Sequence, residues 1–233
     1  MSTFLELCQA VARESGTVSD LTAPSTVTSQ TGRLLRIVNW TAEAYSDIQR
    51  KRDDWRWLRK EFDGETLATV RRYALNTTTD RWKHWVFESE DGDDTFSIYK
   101  TSEGQSTEGW LRYVPWDEFR RVYLFGSNAD DTGKPRIISV DPAGLLVFYP
   151  IPDAVYTIRG EFYRGPQILT LNADVPEMPL AHHDAIKWRA LILLGTFDEA
   201  PEQIPAWAAF LGEHMAALVR KNTPRIQLPG PLA

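Results

Sequence analysis

Leu145–Pro166 reads LLVFYPIPDAVYTIRGEFYRGP, and its pattern decides the fold class. It contains two strand-like runs joined at Pro150–Asp153. In the second run, Val155–Tyr163, the residues Tyr156, Ile158, Gly160 and Phe162 alternate with Thr157, Arg159, Glu161 and Tyr163. Period-two alternation with one apolar and one mixed face is the signature of a half-buried sheet. Just upstream, Arg136–Val140 and Leu145–Tyr149 flank Asp141-Pro142-Ala143-Gly144, which predicts an antiparallel hairpin closed by a turn.

Downstream the period changes. Leu169–Pro179 reads as an extended connector, since Pro176 and Pro179 block a helix. The segment that follows, AHHDAIKWRALILLGTF, predicts a helix around His183–Phe197 that is nearly continuous in apolar residues beyond Trp188. A helix of that kind is buried, here against the second and the final helix, with Gly195 allowing close approach. The final helix follows Pro201 or Pro205 and runs to Asn222, with a stripe of Trp207, Phe210, Leu211, Met215, Leu218 and Val219.

Two more helices are expected at the start. Thr3 with Glu6 makes a capping box before Phe4, Leu7, Cys8 and Val11, which share one face, and Ser15-Gly16 closes the helix. Thr17–Thr31 reads as a linker, with Thr31 the N-cap of a helix reaching Asp53 through Leu34, Val38, Thr41, Tyr45, Ile48 and Arg52. Arg50-Lys51-Arg52 meets Asp53-Asp54 at once, so a solvated helix end is preferred to a phosphate site.

Between these parts lies the rest of the β region. Trp55-Arg56-Trp57-Leu58 is expected to open it, with one ring inward, followed by FDGET as a turn and LATVRRYAL as a strand. DRWKHWVFES, TFSIYK and Trp110–Val114 read as further strands, TSEGQSTEG and Gly126–Pro135 as loops, and WDEFRRVYLF after Pro115 as a short helix. The expected class is therefore α+β. Residues 1–55 and 167–222 form a bundle of about four helices, 56–166 an inserted antiparallel β region with a short helix, and 223–233 an extended tail.

Composition narrows the function. Net charge is −6, which argues against a general nucleic-acid or acidic-membrane binder. Nine Trp, eight Tyr and ten Phe suit either a Trp-rich core or an aromatic contact surface. Cys8 cannot form an internal disulfide and reads as a small buried hydrophobe. The opening MSTFLELCQAVARES mixes acid and base in a way a secretion signal does not, and no apolar run reaches a membrane span.

No catalytic or cofactor motif emerges. There is no Gly-rich phosphate loop. The acidic loop Glu88–Asp94 has its Gly too early for a calcium loop, and His84 has no second ligand at metal spacing. His182-His183-Asp184 fits a helix N-terminus better than a ligand set, because adjacent helical residues point apart. The tail TPRIQLPGPLA has three prolines and carries Ile226 and Leu228, a composition that orders on a partner or frays.

YPIPD, YTIRGEFYRGPQIL, DVPEMP and AIKWRALILLGTFDEAPE, together with NWTAEAYSDIQRKRDDWRWLRKEF and the strand ending in YAL, resemble the head-to-tail adaptors of tailed bacteriophages. The resemblance spans Phe4 to Pro224, and one departure is Asn76 where relatives tend to carry proline. It implies a virion neck protein assembled in the host bacterial cytoplasm, with no cofactor, no metal and no membrane. It further implies a ring of twelve copies whose body is helical, with the portal protein and a downstream tail or nozzle protein as partners. Genome DNA passes through the channel without sequence-specific binding. The tail residues Thr223, Pro224, Arg225, Ile226, Gln227, Leu228 and Pro229 are the expected portal contact. Competing readings are an adaptor-like peptidoglycan hydrolase, which needs two carboxylates in a cleft, a stopper or tail-completion protein, and a monomeric peptide-binding adaptor.

Overall fold

Thr3 and Glu6 set the start of the first helix. The Thr3 hydroxyl accepts from the Glu6 amide at 3.3 Å, and the Glu6 carboxylate accepts from the Thr3 amide at 2.9 Å. The capping box read from the sequence is thus present, and it satisfies donors that a helix start otherwise leaves open. A computed structural model describes residues 2–16, 23–75, 80–198 and 201–222. Among them the α-helices are α1 (Phe4–Glu14), α2 (Gly32–Arg50), α3 (Trp116–Tyr123), α4 (Asp184–Phe197) and α5 (Ile204–Asn222). The chain divides into two units, Met1–Leu58 with Pro166–Ala233, and Arg59–Gly165. The fold is α+β, as the change of period predicts.

In the first unit α4 is the middle helix and packs against α1, α2 and α5. Arg33, near the start of α2, forms an ion pair with Asp198 just past the end of α4. Asp47, near the end of α2, accepts from Arg189 in α4 at 2.9 and 2.5 Å. The two helices are therefore antiparallel. On the other side of α4, Trp188 stacks on Phe210 and Gly195 meets Ile204 and Trp207, so α4 and α5 are antiparallel as well. It follows that α2 and α5 flank α4 and run in the same direction.

The core of this unit takes Phe4, Leu7, Cys8 and Val11 from α1 and Val38, Tyr45 and Ile48 from α2, all at positions the helical period marks. The polar Thr41 is satisfied within its own helix by donating to the Ile37 carbonyl at 2.7 Å. α2 ends at Arg50, three residues before the expected Asp53, and Thr31 occupies the N-cap position without a side-chain cap. The extended connector after Gly165 is fixed by side chains of α2. Buried Gln49 donates to the Gln167 carbonyl at 2.9 Å and accepts from the Gln167 amide at 2.7 Å. The Tyr45 hydroxyl donates to the Gln167 side chain and accepts from the Glu177 amide.

Trp55–Leu58 does not open a strand. Arg56–Leu58 is a single 3-10 turn, and Trp55 is fully buried and stacked on Trp57 at 4.3 Å. The Trp55 indole N–H donates to the carbonyls of Ile48 and Gln49, at 3.2 and 3.1 Å. Both carbonyls belong to the last turn of α2, where the Ile48 carbonyl also accepts from the Lys51 amide at 3.4 Å, so the ring helps to cap the helix end and is held away from a sheet.

The second unit is built from β1 (Arg59–Glu65), β2 (Arg72–Tyr73), β3 (Trp82–Val86), β4 (Ser97–Lys100), β5 (Gly109–Trp110) and β6 (Arg112–Tyr113). It continues with β7 (Thr132–Gly133), β8 (Ile137–Val140), β9 (Leu146–Tyr149), β10 (Ile151–Pro152) and β11 (Tyr156–Arg164). β11 is the spine of the largest sheet. β1 pairs along one edge from Arg59↔Tyr163 to Glu65↔Thr157, while β3 and β4 share the other edge. Tyr156, Ile158, Gly160 and Phe162 face inward, as the alternation predicts. Phe96 occupies the space that a β-carbon on Gly160 would need, which explains the glycine in this strand.

A second sheet runs β2-β9-β8-β6, and β10 pairs with β7 in a third, two-stranded one. The β8–β9 hairpin is antiparallel as expected. The Asp141 carboxylate accepts from the Ala143 and Leu145 amides and so shapes the turn. The segment Leu145–Pro166 thus supplies β9 to one sheet and β11 to another, and the expected turn at Pro150–Asp153 contains β10.

Three further expectations change. FDGET is not a turn, because Phe62–Glu65 belongs to β1, where the continuous ladder with β11 outweighs the local Asp-Gly preference. LATVRRYAL is strand only at Arg72–Tyr73. The Tyr73 hydroxyl accepts from the Leu67 amide at 3.0 Å and lies 2.6 Å from the Val70 carbonyl, which holds Leu67–Val70 as a turn. Trp110–Val114 splits at fully buried Leu111, with β5 and β6 in different sheets. The short helix after Pro115 forms as expected, and Gly126–Pro135 contains a 3-10 turn and β7.

Candidate interaction surface

Thr223, Pro224, Arg225, Ile226, Gln227, Leu228 and Pro229, the expected portal contact, lie outside the described residues, as does Asn76. The surface that is described leaves large apolar side chains exposed at a few places, and these are where partners of this chain can be held.

One place is where the start of α2 meets the end of α4. Phe197 is 52% exposed, with the Arg36 guanidinium 4.2 Å above its ring and Trp40 at 5.3 Å. Leu35 stands beside Arg36 on α2 and is 41% exposed. The sequence stripe on α2 includes Leu34, and nothing in it marks Leu35, Arg36 and Phe197 as a group, because they come from two helices. A cation over a ring at the surface adds a modest attraction and leaves the guanidinium edge free to donate.

A second place is α5. Trp207, Leu211 and Leu218 face α4. Phe210 also meets α4, stacking on Trp188, which carries the Lys187 ammonium at 4.0 Å, yet it stays 46% exposed. Ala209, Gly212 and Ala216 fall on the side of α5 away from α4 and are exposed. A helix with apolar residues on its outer side as well as its inner one is expected to be covered on both.

In the β unit Trp110 is 67% exposed beside the loop that carries Asp91, Asp93 and Asp94, and together they line an open depression. Phe125 is 78% exposed after α3. The aromatic surplus is therefore divided between core, with Trp55 and Trp85 buried, and surface, with Trp110 and Phe125 outside.

The residues weighed for chemistry find packing roles. Cys8 is fully buried, and burial pushes its thiol up to about 12. The His84 ring lies 5.0 Å from Tyr163 as a packed neighbour. His183 Nε2 sits 3.0 Å from the Met178 carbonyl and donates to it, which sets its tautomer. His182 is buried edge-on to His214 at 5.8 Å. Burial holds its imidazole below the usual histidine value, with Lys221 and His214 adding to the effect. Among the described residues no group of three or more His, Cys, Asp or Glu is gathered to hold a metal ion, and no helix is long and apolar enough to cross a membrane.

The family described as SU10 adaptor protein matches residues 2–232, so the match includes both units. No curated protein matches the chain. The match bears out the resemblance drawn from the Trp, Tyr and Pro patterns: the chain belongs to the SU10 adaptor protein family and is a structural adaptor of a bacteriophage.

Proposed function

We propose that this chain forms a ring of twelve copies beneath the portal of a tailed bacteriophage, extends the DNA channel and docks the next tail component. The observation that carries this reading is the family match over residues 2–232. In this reading the chain is a component of the virion neck, assembled in the host cytoplasm, with the portal on one side and a tail or nozzle protein on the other. The helical unit is the ring body in this reading, and Thr223–Pro229 reach the portal.

Two physical features support it. A chain of net charge −6 suits a conduit through which DNA must slide, since attractive walls would slow its passage. Exposed Phe197, Phe210, Trp110 and Phe125 suit a subunit with several different neighbours, because ring contacts join unlike surfaces and aromatic anchors dominate such contacts. Electron microscopy of the purified protein with and without the portal of its particle tests the reading. Rings of twelve on the portal are expected. A monomer that ignores the portal overturns it.

A further inference from the structure

We infer that the outer face of α5 in one copy docks on the outer face of α2 in the next copy, the two helices parallel, with Arg36 opposite Glu213 and Glu43 opposite Arg220. This names the contact within the ring and rests on the ring reading.

The argument starts from direction. Within one copy α2 and α5 flank α4 and run the same way, as the contacts of Arg33, Asp47, Trp188 and Gly195 require. A head-to-tail repeat about an axis along these helices preserves that direction. The α2 of the next copy then arrives parallel to the α5 it covers. A two-fold contact of α5 with itself across an axis perpendicular to it would be antiparallel.

Charge fixes the register. Arg36 and Glu43 are seven residues apart on the outer side of α2, and Glu213 and Arg220 are seven apart on the outer side of α5. Seven residues are two helical turns, about 10.5 Å, so both pairs place their charges at the same interval on one face. The order is plus then minus on α2 and minus then plus on α5, which matches only when the helices are parallel. Among the described residues Arg36, Glu213 and Arg220 make no ion pair. Glu43 meets Arg50 at 3.2 Å where both are more than half exposed, a contact worth little.

Shape agrees with this register. Ala209 and Ala216 lie close to the line of Glu213 and Arg220 on the outer side of α5, and both are exposed. Small residues along that line let another helix approach closely. A second copy is the occupant that brings charges of the right sign at the right interval.

The test uses the full chain carrying Glu43→Cys and Arg220→Cys, the pair that the register sets face to face, oxidised at rising concentration, free and on portal-bearing particles, beside electron microscopy. Cys8 is buried and does not compete. The expected product is a ladder of covalent multimers. Either single variant alone gives monomer, and an equal mixture of the two single variants stops at heterodimers. Independently, Arg36→Glu and Glu213→Arg each weaken association at least about tenfold, and an equal mixture restores it because every contact then has opposite charges. All four positions are exposed, so the melting curve of each variant should match the parent. Disulfide dimers from one single variant alone would show a symmetric contact and overturn the inference. Rings without a ladder, or an equal mixture that fails to recover, would overturn it and leave the ring reading standing. Absence of both rings and ladder would remove the two together.

Discussion

Trp207 stands against Gly195: a β-carbon on the glycine would lie 2.8 Å from Cζ3 of the indole and 3.3 Å from Cγ1 of Ile204. The close approach of α4 and α5 depends on that missing side chain. Gly195→Val is expected to lower stability by about 1–3 kcal/mol through overpacking, despite valine's better helix propensity. Urea denaturation followed by tryptophan fluorescence measures it, and an unchanged midpoint would mean that the two helices are not so close.

Gly212 gives the opposite expectation on the same helix. It lies in the interior of α5 with nothing within 4 Å of its virtual β-carbon. Gly212→Ala should raise the stability of the isolated chain by about 0.5–1 kcal/mol, because it removes the backbone entropy penalty without a clash. A higher melting temperature checks this.

His182 makes stability depend on pH. Burial, with Lys221 and His214 nearby, holds its folded-state value below the ordinary histidine value of 6.5. As pH falls below 6.5 the unfolded chain takes up a proton that the folded chain resists, so the unfolded state binds more protons and stability drops. The loss continues until pH reaches the lowered folded value. Above 6.5 the group contributes no slope. Melting temperatures between pH 5 and 8 should show a decline on the acid side that is reduced in His182→Leu, and equal slopes in the two proteins would contradict this account.

Deletion of Thr223–Ala233 should abolish binding to the portal and leave the melting curve intact, since the segment follows the last residue of α5. Co-sedimentation with portal, beside circular dichroism, separates the two effects. Full binding by the truncated chain would exclude these residues as the portal contact.

Features readable in the sequence were those whose cause is local or periodic. The capping box at Thr3 and Glu6 involves residues three apart. The buried face of α1 repeats every three or four residues, and the inward face of β11 every second one. The turn at Asp141 is closed by its own side chain. The family was legible too, because its Trp, Tyr and Pro patterns are written along the chain.

Tertiary structure decided what depended on distant partners. Phe62–Glu65 became strand because β11 offered a continuous ladder, although the residues themselves favour a turn. Trp55 left the β region because its indole reached the last-turn carbonyls of α2. Trp110–Val114 broke where Leu111 had to be buried between two pairings. The exposed group of Leu35, Arg36 and Phe197 exists only because α2 and α4 meet, so no single helical period announces it. Local propensities are worth tenths of a kcal/mol per residue, whereas burial of one large side chain is worth about 1.5–3, and the larger quantity settled each of these cases.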